Sequence, residues 1–132
     1  DDTVRFINTD TVITMVEPKV SDENHSILKE NLELLKKMQL HDGRKLNIIE
    51  IEMPEPVIDF GLRLPASYAN FYISNAHVIV PTYRCKNDDK ALKTLEQCFP
   101  GRTITGIDST EIIWGLGSFH CLSQQEPKGN FI

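Results

Sequence analysis

Sliding the sequence by 66 positions against itself lays one hydrophobic pattern on another. Ile7 falls on Ile73, Val12 on Val78, Ile13 on Ile79, and the acid Asp22 on Asp88. In the first copy, TVRFINTDTVITMV reads as two strands around a tight turn at Asn8-Thr9-Asp10, with Val4, Phe6, Val12, Ile13 and Val16 supplying β-branched and aromatic content. SDENHSILKENLELLKKMQL then reads as a helix capped by Ser21 or Asp22, with Ile27, Leu28, Leu32, Leu34 and Leu35 on one apolar face. The glycine of HDG ends it, and KLNIIEIEMP returns as a strand. In the second copy, ANFYISNAHVIVP is a hairpin turning near Ser74-Asn75-Ala76. Asn87 or Asp88 caps a shorter helix with Ala91, Leu92, Leu95 and Phe99 inward, and RTITGI is the closing strand. The linker PEPVIDFGLRLP reads as a loop from its prolines and glycine. The expectation is an α/β chain of two ββαβ units, about residues 3–53 and 68–108. Repeats at this period suggest a propeller or array.

Composition narrows the function classes. The chain has 132 residues, enough for one domain, with a formal charge of −5. The acidic balance and the lack of a Lys/Arg-rich run argue against nucleic acid, whose phosphates need a basic stripe. They suit a small cationic molecule instead. No apolar run approaches a membrane span, and no charged-then-apolar leader opens the chain, which begins DDTVRF without a methionine. That opening reads as a piece of a longer protein. Cys85, Cys98 and Cys121 form no CxxC pair, so neither zinc nor a redox motif is indicated. Three reduced thiols fit a cytoplasmic setting. The four histidines form no metal-ligand spacing.

Of the three thiols, Cys121 stands out. It lies in GLGSFHCLSQQ, after a glycine-rich turn and within SFHCLSQ, which reads as a strand. Cys98, in LEQCFP at a helix end, reads as a packing residue, and Cys85 as another reduced thiol. On residue type alone, a lone cysteine is more often buried structure than nucleophile. His120 is the obvious base beside it, but neighbours on a strand point to opposite faces, so His120 is read as a packed histidine behind the site.

Several segments carry a resemblance to one family. GLGSFHCLSQQEP resembles the nucleophile segment GGGNIHCITQQ of agmatine deiminases and Porphyromonas-type peptidyl-arginine deiminases. RLPASYANFYISNAHVIVP resembles the family's LAASYxNFYxxNGGxxxP, FPGRTITGIDSTEI its FPxxxVVGIxxxEI, and DDTVRF the tail of its GHxDxxxRF motif. The segments occur in the family's order along nearly the whole chain. The resemblance implies a five-fold α/β propeller (pentein) around a central pore, of which this chain is the C-terminal part, with residues 109–127 as the nucleophile segment.

It also implies roles. Cys121 becomes the nucleophile that attacks a guanidinium carbon, giving a covalent thiouronium that water hydrolyses. Asp1 matches the motif carboxylate that holds the guanidinium. The motif histidine, the family's general acid/base, stands two positions before Asp1 and outside this sequence, as does a further guanidinium-binding carboxylate. Asn70, Gly115 and Gly117 are candidates for lining the substrate. Asp2 reads as solvated and Arg5 as an ion-pair former. Leu116, Ser118 and Phe119 depart from the family's Gly, Asn and Ile. The implied activity is hydrolysis of agmatine to N-carbamoylputrescine and ammonia, with no metal or organic cofactor. The alternatives are peptidyl-arginine deimination, or a non-catalytic repeat module with an inert Cys121. The implied partner is a small cationic guanidine, not nucleic acid or membrane, with homo-oligomerisation open. Taken alone, the chain is expected to be inactive and to associate through exposed apolar residues such as Phe6, Ile49, Phe71 and Ile79.

Overall fold

A computed structural model describes residues 2–126 and 129. Strand β1 (Val4–Phe6) turns back on β2 (Thr11–Val16), and the Asn8 carboxamide makes the turn by accepting from the amides of Asp10 (3.0 Å) and Thr11 (2.8 Å). Helix α1 (His25–Lys37) carries the chain across to β3 (Asn47–Glu52), parallel to β2, with Val12 opposite Ile48 and Met15 opposite Ile51. A parallel pair needs such a crossover.

After a short two-stranded element, β4 (Ile58–Asp59) and β5 (Leu62–Arg63), the same order recurs. Strand β6 (Tyr72–Ile73) pairs antiparallel with β7 (His77–Thr82). Helix α2 (Asp88–Cys98) crosses to β8 (Thr103–Asp108), parallel to β7, with Val78 opposite Ile104. The result is two three-stranded sheets, ordered β1-β2-β3 and β6-β7-β8, with no closed sheet among the described residues. One continuous core joins them, from Ile13, Met15 and Ile51 through Phe71, Val78 and Val80 to Leu95 and Phe99.

Four local expectations change. Helix α1 starts at His25, after Asn24, and α2 at Asp88, after Asn87, and no side chain caps either one. The Asp22 carboxylate is committed elsewhere, to the Asn24 amide (2.9 Å) and Arg63 Nη1 (2.8 Å). The buried stripe of α1 is Leu28, Leu32 and Leu35, at the helical period, while Ile27 and Leu34 fall outside it and are exposed. The linker is not wholly loop: Phe60 (φ 46°) and Gly61 (φ 76°) both take left-handed backbone, the requirement of a tight hairpin turn between β4 and β5. Finally, Phe71 is fully buried, so it is no candidate for exposed apolar surface; Phe6 is exposed.

No helix among the described residues is long and apolar enough to cross a membrane.

Candidate active site

The segment around Cys121 begins where β8 ends. Residues Ile112–Gly115 make one 3-10 turn, and Leu116 closes it in left-handed backbone (φ 63°). Gly117 follows. A methyl group at its Cα would stand 2.5 Å from Cys121 Cβ and 2.8 Å from its Sγ, closer than atoms can pack. Gly117 is therefore what lets the chain fold back on the thiol. At Gly115 a methyl would meet nothing within 4 Å, and the backbone is not left-handed. The buried Ser118 hydroxyl meets that of the buried Ser109 at 2.6 Å, tying the segment to the end of β8.

Residues 118–123 are not the expected strand. They form a helical turn, with Leu122 N donating to Ser118 O (3.0 Å) and Ser123 N to His120 O (2.9 Å). The reason is an oxygen that collects two successive amides. Asn70 Oδ1 accepts from His120 N (2.9 Å) and Cys121 N (3.2 Å), and adjacent amides point the same way in a helical turn but oppositely in a strand. The argument that strand alternation turns His120 away from Cys121 falls with the strand. Burial pulls the His120 imidazole below its usual pKa, the Arg5 charge adds to this, and Asp2 opposes it.

Asn70 is fully buried, and its side chain is the hub of the site. Its Nδ2 donates to Cys121 Sγ (3.0 Å) and to Asp2 Oδ1 (2.5 Å). Cys121 itself is exposed. A buried amide thus joins a carboxylate to a thiol at the surface. Asp2, expected to be solvated, is half-buried here, and its backbone carbonyl also accepts from Ser67 Oγ at 2.5 Å. Asp1 lies outside the described residues. The strap of residues 67–71 that carries Asn70 is pinned by Tyr83, whose hydroxyl accepts from Ser67 N and donates to Ser67 O, both at 3.1 Å. Arg5 is not paired as expected: its guanidinium donates to the backbone carbonyls of Ala69 and Phe71, each at 3.0 Å, and lies 4.5 Å over the Phe71 ring.

Cys85 and Cys98 stand apart from this cluster. Cys85 joins the Tyr68 hydroxyl and the Asp88 carboxylate, which also gathers the amides of Tyr83 and Cys85, and burial pushes the Cys98 thiol up. Among the described residues no group of His, Cys, Asp and Glu has metal-site geometry.

Sequence reasoning missed Asp2, Ser67, Tyr83 and the Ser109–Ser118 pair. A signal for Asp2 was present: the repeat puts residues 2–5 and 68–71 at the openings of its two units, and these stretches are the ones that meet.

The combination defines a class: an α/β protein presenting a surface thiol held by a buried carboxamide and flanked by a carboxylate. The sequence matches the Porphyromonas-type peptidyl-arginine deiminase family over residues 1–127, and the chain belongs to that family. A curated Legionella pneumophila relative is 34% identical over 131 residues, covering 98% of this chain and 38% of its own length. A Porphyromonas gingivalis crystal structure matches with a TM-score of 0.93 and 38% identity, over 97% of this chain and 38% of that one. The agmatine deiminase of Enterococcus faecalis matches with a TM-score of 0.89 and 30% identity, over 96% of this chain and 40% of that one. The chain therefore spans well under half the length of the relatives it matches.

Proposed function

We propose that this chain is the C-terminal, nucleophile-bearing part of a cytoplasmic guanidinium hydrolase that converts agmatine and water to N-carbamoylputrescine and ammonia. In the complete protein its two ββαβ units would belong to a five-unit propeller around the substrate. The Cys121 sulfur attacks the guanidinium carbon. The C–N bond breaks, ammonia leaves with a proton from the acid/base partner upstream, and a thiouronium remains. Water then adds to that carbon, the C–S bond breaks, and the thiol is restored as the ureido product departs. Asp1 would hold the guanidinium through charge-assisted hydrogen bonds. Gly115 and Gly117 would keep the approach to the sulfur open.

The observation that carries this reading is the exposed Cys121 sulfur held 3.0 Å from the buried Asn70 amide, which also holds a carboxylate. A structural cysteine has no need of such a setting. The family description favours one second reading, the same chemistry on an arginine side chain of a protein.

The test is ammonia release by the complete protein from agmatine, free arginine and an arginyl peptide. Turnover of agmatine alone supports the proposal, turnover of the peptide the second reading, and no turnover of any of the three removes both. In that protein Asp1→Asn keeps shape and loses charge. It is expected to lower kcat/KM by the equivalent of about 1.5–3 kcal/mol, the scale of a hydrogen bond to a charged group. An unchanged value refutes the role given to Asp1.

A further inference from the structure

We propose that Arg5 is a positioning residue for Cys121: by clamping the carbonyls on both sides of Asn70, it fixes the one amide that holds the nucleophile's turn. The inference deepens the proposed function but rests on geometry that can be read without turnover.

Arg5 sits on β1, and Asn70 on the strap before β6. One nitrogen, Nη1, donates to Ala69 O and Phe71 O, both at 3.0 Å. These are the carbonyls immediately before and after Asn70. The guanidinium carbon lies over the Phe71 ring, 4.5 Å from its centre. The backbone of Asn70 is thus fixed from both sides by a planar, rigid group, which an ammonium on a flexible stem does not reproduce.

What the clamp fixes is a side chain with no slack. Every polar atom of the Asn70 carboxamide is committed: Oδ1 to the amides of His120 and Cys121, Nδ2 to Cys121 Sγ and Asp2. The Asn70 carbonyl also accepts from His120 N at 3.2 Å. A small rotation of this peptide moves all of these bonds together. Placing a cation there is costly, since burial works against the charge of Arg5; Asp2 and Cys121 are the groups that favour it. A strap needing only mechanical support would be served by an uncharged donor. That the charges favouring Arg5 are those of the carboxylate and the sulfur ties its own charge to the site.

The test is hydrogen–deuterium exchange on the complete protein, read at the peptide spanning residues 118–123 and, as control, at β7. Arg5→Met is expected to lower protection at residues 120 and 121 about tenfold, the scale of one weakened hydrogen bond, with β7 unchanged. Asn70→Ala should lower it at the same two amides, and adding Arg5→Met to Asn70→Ala should lower it no further, because both changes act through one group. Wild-type protection in Arg5→Met, loss in step with β7, or independent effects that multiply would each overturn the proposal. Should Arg5→Met not fold, Arg5→Lys decides: partial loss at residues 120 and 121 supports the clamp, and full protection refutes it. Kinetics give a separate readout, with kcat lowered and KM nearly unchanged in Arg5→Met. A protein inactive on every guanidine, yet showing this exchange pattern, would refute the proposed function and keep the clamp.

Discussion

Residues 2–5 and 68–71 stand where the two ββαβ units begin, and they touch. Arg5 lies over the ring of Phe71. By strand register Asn70 corresponds to Thr3, yet only Asn70 is a buried polar hub; Thr3 is exposed. The first unit brings charge to the contact, Asp2 and Arg5. The second brings an amide and an aromatic ring. Equal topology therefore fixes where the two stretches meet, and their unequal residues fix what chemistry the meeting supports. A repeat of identical residues would have placed two carboxylates and two cations together, and neither combination holds a thiol.

The largest expected effect removes the group toward which this asymmetry is directed. In the complete protein, Cys121→Ser should reduce ammonia release to background, while Cys85→Ser and Cys98→Ser retain most of it. Loss of a lone nucleophile can cost on the order of 10⁶-fold in kcat. Substrate should also protect Cys121 from alkylation. Full turnover by the serine variant would mean that the asymmetry serves structure alone.

Next comes Asn70→Val, which replaces the hub with an apolar side chain. It leaves the Cys121 amide and the Asp2 carboxylate without their Asn70 partner, and the His120 amide with only its bond to the backbone carbonyl of residue 70. An unsatisfied buried group costs about 1–3 kcal/mol, so the unfolding midpoint in urea should fall by the equivalent of at least that much. A midpoint equal to that of the starting protein would show that the hub carries no stability.

Gly117→Ala attacks the same turn from its other side. The added methyl overlaps Cys121 itself, so the turn must shift, at a cost of roughly 1–3 kcal/mol and a changed rate of Cys121 alkylation. Gly115→Ala, two residues earlier, meets open space, and the expected change is within about 0.5 kcal/mol. Equal effects of the two alanines in thermal unfolding would contradict the packing described for Gly117.

Most of the architecture was legible because it is written in periodic features. Runs of β-branched residues gave both central strands, and the turn chemistry of Asn8 is local enough to read directly. Tertiary competition was not legible. Asp22 has the composition of a cap but is claimed by Arg63, which is distant in sequence. SFHCLSQ has the composition of a strand, yet two of its amides are drawn to Asn70, fifty residues away, and the segment coils. Cys121, Asn70 and Gly117 were found through family motifs, and residue type by itself left Cys121 undecided. Asp2 and Arg5 were misread because a carboxylate and a guanidinium near a chain opening carry no local mark of burial.

A small effect of opposite sign belongs to Leu116, in the place where the family pattern has glycine. Its backbone is left-handed (φ 63°), and its side chain is 70% exposed, so burial returns little for the strain. A branched residue in this region costs about 1–2 kcal/mol relative to right-handed backbone, and glycine avoids that cost. Glycine also has more freedom to lose when the chain folds, about 0.4–1 kcal/mol. The two terms nearly cancel, and Leu116→Gly is expected to raise stability by no more than about 1 kcal/mol. The comparison between the anchored and the open side of the nucleophile turn then sharpens. A gain on this scale, with Cys121 alkylation unchanged, places the strain of Leu116 outside the network of Asn70 and Gly117. A loss of stability in thermal unfolding would mean that the exposed leucine side chain makes a contact that offsets its strained backbone.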